Sequence, residues 1–303
     1  MTLTDQVTKN IIKKLITSND YRIEIVTLIN AEFLQFVIEF FKKIAFAKIN
    51  NENISKDWYK KEMLSLNLSS DEIAINSGLN KKTITNMYNS GIRQVVIDAS
   101  YEHYDTLYSA IEELTKIEDI DLNLTIKFNK VSVDLNINES LIVINTLAVK
   151  RAALRGGLWS TAGKQTEGPL MISLCKLFDV PEKFYSIKPK TKRIKKGTIN
   201  REVDFYLHKD NNIYKCEVKL MGKGNPESAD AVIARDSKVF IADKLSEQNK
   251  AQLDSLFVEW VELRDIDGYK KFETILQNLN IPHNRQIDKL DVKLEKILES
   301  LFI

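Results

Sequence analysis

The sequence predicts an α/β protein: a mixed central sheet with flanking helices, preceded by an N-terminal helical region. Three observations carry this expectation. Residues 1 to 118 are patterned mostly at helical spacing. The stretch REVDFYLHKDNNIYKCEVKL, residues 201 to 220, alternates apolar and polar residues on both sides of a polar turn, as paired strands do. From 161 onward strand patterns alternate with helical ones, which places helices on the faces of a sheet.

The bulk properties fit that class. A chain of 303 residues with 44% hydrophobic content can bury a proper core, in one large domain or two modest ones. It has no run of about 18 apolar residues, so no transmembrane helix is expected. The start, MTLTDQVTKNIIKK, lacks the apolar stretch of a signal peptide. Two cysteines, Cys175 and Cys216, make no disulfide or zinc framework and read as buried thiols in a reducing cytoplasm. The net charge of +2 excludes little, but KPKTKRIKK, 188 to 196, holds six basic residues and no acid. Lys192, Arg193, Lys195 and Lys196 there read either as a solvated loop or as a grip on an anionic backbone.

In chain order, EIVTLINAEFLQFVIEFFKKIAF is apolar enough for a buried helix. LNLTIKFNKVSVDLNI, 122 to 137, reads as a hairpin about Asn129-Lys130. ESLIVINTLAVKRAALRGG reads as a helix stopped by Gly156-Gly157. A further helix spans roughly 161 to 178, with a kink or restart at Pro169. A short strand follows near KFYSIK, then the basic loop and the strand pair. MGKGNPES, 221 to 228, is a turn into a helix near ESADAVIAR, with Lys223 placed to touch a phosphate. The strand KVFIAD, the helix SEQNKAQLDSL and the strand FVEWVEL complete the alternation. DKLDVKLEKILESLF is an amphipathic helix, read as a packed surface helix ahead of a dimer contact.

Within 201 to 220, Val203, Phe205 and Leu207 share one face, matched by Tyr214, Cys216, Val218 and Leu220 on the partner strand. These must point to the core, so Asp204, Glu217 and Lys219 leave it on the opposite face. Grouped acids repel unless something binds between them. Two hard oxygen donors suit Mg²⁺, which keeps several waters and binds substrate phosphate. Lys219 is placed to orient or deprotonate a water, or to neutralise a transition state. A plain salt bridge on a solvated hairpin is the alternative.

Asp204, twelve residues, then Glu217-Val218-Lys219 resembles the Asp…Asp/Glu-x-Lys signature of the PD-(D/E)xK nuclease superfamily, and the element order from 161 to 262 resembles its core. Val203 stands where that signature usually has proline. The resemblance implies a further acid on the first core helix, for which Glu167 occupies the place; the alternative is an ordinary exposed helix residue.

SSDEIAINSGLNKKTITNMYNS, 69 to 90, resembles the DNA-binding helix-turn-helix. Ser69 or Ser70 caps the first helix, with Asp71 and Glu72 in its first turn. Ala74 is small at the crossing, Gly78 supplies the turn, Leu79 plugs the corner, and Ile84 and Met87 face the first helix. Lys81, Lys82, Thr83, Thr85, Asn86 and Asn89 decorate the exposed side, suited to phosphates and base edges. An ordinary helical hairpin is the alternative.

Together these features imply a type II restriction endonuclease, and GLWSTAGKQTEGPLM is similar to the CfrBI-type family. The implied layout is a helical DNA-recognition region, 1 to 120, and a PD-(D/E)xK-like catalytic domain, 121 to 303. The implied reaction is Mg²⁺-dependent hydrolysis of double-stranded DNA at a short palindromic site by a homodimer, leaving 5′-phosphates. The other readings are a repair or recombination nuclease with the same core, a non-catalytic helix-turn-helix regulator, and a solute-metabolising metalloenzyme. The last has no glycine-rich phosphate loop behind it, and His103, His208 and His283 show no metal spacing.

Overall fold

The computed structural model describes residues 2–117, 124–128, 131–188, 203–220, 232–233, 236–285, 287 and 289–302. The chain divides into two compact units, Met1–Leu28 with Trp159–Ile303, and Ile29–Leu158.

The Ile29–Leu158 unit is mainly helical. It takes most of α2 (Arg22–Ile49), then α3 (Lys56–Met63), α4 (Ser70–Asn76), α5 (Lys81–Tyr88), α6 (Arg93–Ile117), a hairpin of β1 (Leu124–Phe128) and β2 (Val131–Leu135), and the first part of α7 (Ile137–Leu177). The hairpin is antiparallel, with Ile126 opposite Val133. Its expected turn at Asn129-Lys130 lies outside the described residues. The core gathers Phe40, Ile44, Tyr59, Ile73, Tyr104 and Leu135. Tyr59 and Tyr104 stack at 5.0 Å between centroids.

Helix α2 forms over the expected stretch, but it is not wholly buried. Phe40, Ile44 and Ala47 are covered, whereas Leu34, Ile38 and Phe46 are more than half exposed. A helix apolar all round presents more greasy surface than one core face can cover. The expected stop at Gly156-Gly157 is also absent. Helix α7 runs through both glycines and through Pro169 without a break. A mid-helix glycine costs only about 1 kcal/mol relative to alanine, too little to end a helix whose later turns bury Leu170, Met171, Leu174 and Cys175. Proline removes one backbone donor; Ser173 Oγ donates to the Pro169 carbonyl at 2.8 Å.

The other unit is built on a five-stranded sheet of β3 (Tyr185–Ser186), β4 (Phe205–Lys209), β5 (Asn212–Lys219), β6 (Val239–Ala242) and β7 (Glu259–Glu262), in that order. Strands β3, β4 and β5 pair antiparallel. Strands β5, β6 and β7 run parallel, so the sheet is mixed, as expected. The hairpin turn falls at Asp210, whose positive φ of 53° an aspartate tolerates. Helix α8 (Glu247–Ser255) follows β6, capped by Ser246, and α9 (Lys271–Asn278) follows β7. Of the helix expected near 227–235, only Val232 and Ile233 are described, and both are helical.

One face of the sheet carries Phe205, Leu207, Cys216 and Val218, all fully buried. The opposite face is not open, contrary to the hairpin reading. Phe240 and Ala242 pack there with Leu253 and Val258, and Glu217 and Lys219 are their register partners. Glu217 is 0% exposed. Strand β5 is the middle strand, and parallel sheets are covered on both faces. Both cysteines are free and buried, as expected. Helix α10 (Leu290–Leu301) buries Leu294, Ile297 and Leu298, and Glu295 bridges to Lys9 and Lys13 of α1 (Leu3–Ile16). It is a packed surface helix. Among the described residues no helix is long and apolar enough to cross a membrane.

Candidate active site and nucleic-acid interface

Period-two alternation sets the acidic strand pair. Phe205 pairs with Cys216, and continuing that register by one residue sets Asp204 opposite Glu217, where side chains share a face. The contacts agree. The Val218 N–H donates to Asp204 Oδ2 at 2.9 Å, so the Asp204 carboxylate rests on β5 between Glu217 and Lys219. Lys219 Nζ stands 2.9 Å from Glu217 Oε1, with the lysine side chain 30% exposed. One carboxylate is therefore shut away from water, one is half-buried, and the amine connects the buried acid to the surface.

The Asp204 charge is felt by its neighbours. Burial pushes the Cys216 thiol well above its usual range, and Asp204 adds to that push. Burial raises the Tyr206 phenol as well, again with a contribution from Asp204.

Two further residues adjoin this end of the sheet. The Asp243 N–H donates to the Lys219 carbonyl at 3.3 Å, and the Tyr21 hydroxyl donates to Asp243 Oδ2 at 3.3 Å. Both residues are buried, and burial first, then the Asp243 charge, pushes the Tyr21 phenol far up. The sequence gives no signal for this pair, because the contact spans 222 residues. Glu167 lies half-buried in α7, beside Gly168, where an added Cβ would sit 3.6 Å from Ile187.

No group of three or more His, Cys, Asp or Glu suited to a metal occurs among the described residues. Asp204 and Glu217 nevertheless fit Mg²⁺, which is commonly held by one or two carboxylates and completes its shell with water and phosphate oxygen.

The stretch 69 to 90 folds as two short helices joined by a turn. Ser69 caps α4 in a reciprocal box with Glu72, and these hydrogen bonds hold the Glu72 carboxyl below its usual range. Gly78 takes φ +91°, which suits glycine alone. Asn80 caps α5, accepting from the Thr83 N–H at 2.9 Å. Ala74 and Ile84 are fully buried with Val96 of α6, and Leu79 packs against them. Met87 departs from expectation: it is 65% exposed and does not face α4. Helix α5 spans only eight residues, so Ile84 alone reaches the shared core. Lys81, Lys82, Asn86 and Asn89 are exposed, and Thr83 and Thr85 are half-buried. Lys81 stands 3.4 Å from Asp71, and the Thr85 hydroxyl donates back to the Lys81 carbonyl. Lys192, Arg193, Lys195, Lys196 and Lys223 lie outside the described residues.

Comparison with curated proteins and with solved structures finds no match. A family model does match, that of the CfrBI restriction endonuclease, over residues 5–250. The match takes in α5, the acidic strand pair and most of the sheet, and covers well over half of the 303 residues. The chain therefore belongs to the CfrBI restriction endonuclease family.

Proposed function

We propose that this restriction endonuclease is a type II enzyme that hydrolyses double-stranded DNA at a specific short site, with Asp204, Glu217 and Lys219 as its cleavage centre. The observation that carries the reading is the strand pair: an acid seated on the next strand's backbone, a buried acid and a lysine within 2.9 Å of it. Asp204 and Glu217 would hold Mg²⁺, and Glu167 is the proposed third acid. The bound ion would supply a Lewis acid for the scissile phosphate and lower the pKa of a water.

Lys219 orients the attacking water and offsets the charge that grows on the phosphoryl oxygens. Water adds to phosphorus, the P–O3′ bond breaks, and the products are a 5′-phosphate and a 3′-hydroxyl. Burial of Glu217 fixes the geometry of the Lys219 amine before substrate arrives. Helix α5 is the proposed reader: Lys82 for phosphate, Asn86 for the adenine edge. A closed homodimer on a palindrome follows from matching a two-fold protein to a two-fold site. The proposed division of labour is recognition within 1 to 120 and catalysis within 121 to 303, with Met1–Leu28 belonging to the sheet's unit and residues 121 to 158 to the helical one.

The test is digestion of phage DNA by purified protein with Mg²⁺ and with EDTA, followed by end-labelling. Discrete bands with 5′-phosphate ends, only with Mg²⁺, are expected. A smear would leave a nuclease without sequence specificity; intact DNA would sink the enzymatic reading.

A further inference from the structure

Residues 73–97 contain Lys81, Lys82 and Arg93 and no acid. Asp71, just before them, pairs with Lys81 at 3.4 Å, which leaves Lys82, among the described residues, as the unbridged lysine of the α5 N-terminus. Within this stretch Met87, at the exposed end of α5, leaves 65% of its surface in water. A single exposed apolar side chain is ordinary, so exposure alone carries nothing. Its neighbours decide the matter. Lys82 and Asn86 are four residues apart on α5, and Thr83 and Met87 are four apart on the adjoining ridge. Ile84, fully buried, fixes the inward side. Met87 therefore flanks Asn86 on the outward side of α5, whose other outward groups are the Lys81 and Lys82 amines and the exposed Tyr88 ring. A flexible thioether beside an exposed carboxamide and the Lys82 amine matches a polyanion that displays an apolar group next to an adenine edge.

In the major groove an A·T pair presents the adenine N7 acceptor and N6 donor, the thymine O4 acceptor and the thymine C5-methyl. The methyl is the apolar feature of that groove. We infer that Met87 is a specificity residue that packs on a thymine C5-methyl while Asn86 engages the adenine edge, so that α5 selects A·T pairs. Methionine suits this, because an unbranched thioether adapts its shape to a small apolar target. A 5-methylcytosine carries the same methyl, but its guanine partner offers N7 and O6 acceptors, which do not match the paired donor and acceptor of a carboxamide. This inference rests on the proposal that α5 reads DNA.

The experiment uses duplexes enriched from a random library by the full-length protein in Ca²⁺. Each thymine of the enriched site is replaced in turn by deoxyuridine, which removes only the methyl. At one thymine or more, wild-type affinity is expected to drop about fourfold, the worth of one buried methyl-sized group. Met87→Ala is expected to bind the thymine and uracil duplexes equally, and a melting curve like the wild type's confirms that it is folded. No uracil penalty at any position, a penalty that persists in Met87→Ala, or an enriched site without thymine each overturns the inference. Lys82→Ala and Asn86→Ala separate the two failures. If they weaken binding while uracil costs nothing, only the role of Met87 falls; if they leave binding unchanged, or no site is enriched, the reading helix falls with it.

Discussion

At the residue scale, burial changes what the acid-x-lysine pattern means. Alternation alone puts Glu217 and Lys219 on an outward face, where either could be removed at little cost. Glu217 is instead sealed from water with Lys219 bonded to it. Removing the amine from a buried carboxylate costs about 1–3 kcal/mol, so Lys219→Ala is expected to lower the urea midpoint by that equivalent. Glu217→Gln keeps a hydrogen-bonding group of the same shape and is expected to cost less. Equal midpoints for Lys219→Ala and the wild type would show that the pair contributes nothing to stability. Which residues form the pair was legible in the sequence, because residues 201 to 220 follow a strict period of two and the turn sets the register. The burial was not, because it comes from pairing with β6, some twenty residues onward in the chain and signalled by nothing local. Tyr21 and Asp243 escaped notice for the same reason.

At the element scale, local chemistry fixed what local patterns announced. Ser69, Gly78 and Ile84 hold the places that their spacing assigned them, in cap, turn and core. Met87 does not, since α5 is too short to present two turns to the core. Ser69→Ala is expected to cost about 1 kcal/mol by removing a cap. Its pH dependence has a definite sign. The Glu72 carboxyl is held below its ordinary value by Ser69, so its stabilisation is complete above the unfolded carboxylate pKa of about 4.3. It is lost as pH falls through the lower folded value. The stability gap between wild type and Ser69→Ala should therefore narrow as urea melts are taken from pH 7 to pH 3; a constant gap would separate Glu72 from the cap. Helix α7 shows a breaker signal overruled by packing. Gly156 and Gly157 have nothing within 4 Å of a built Cβ. Gly156→Ala and Gly157→Ala should each stabilise by about 0.5–1 kcal/mol, and destabilisation would argue against a continuous helix there.

At the scale of the whole molecule, membership of a restriction endonuclease family implies a DNA-cleaving chain, and the mixed sheet is compatible with a nuclease fold and carries the proposed site. Strands β5, β6 and β7 run parallel, so their C-terminal ends lie together, and Asp204, Glu217, Lys219 and Asp243 collect at that end. Ligand sites in open α/β sheets favour that location. The most direct measurement compares wild type and Glu217→Gln on the same phage DNA: cleavage with Mg²⁺, and gel-shift affinity for a cut site with Ca²⁺. In the proposed mechanism Glu217 places the ion, whereas phosphates and base edges touched elsewhere supply most of the binding. The expected result is discrete fragments from the wild type and none from a folded Glu217→Gln that still binds its site. Cleavage by Glu217→Gln at the wild-type rate would contradict the assignment and remove this strand pair from the active site.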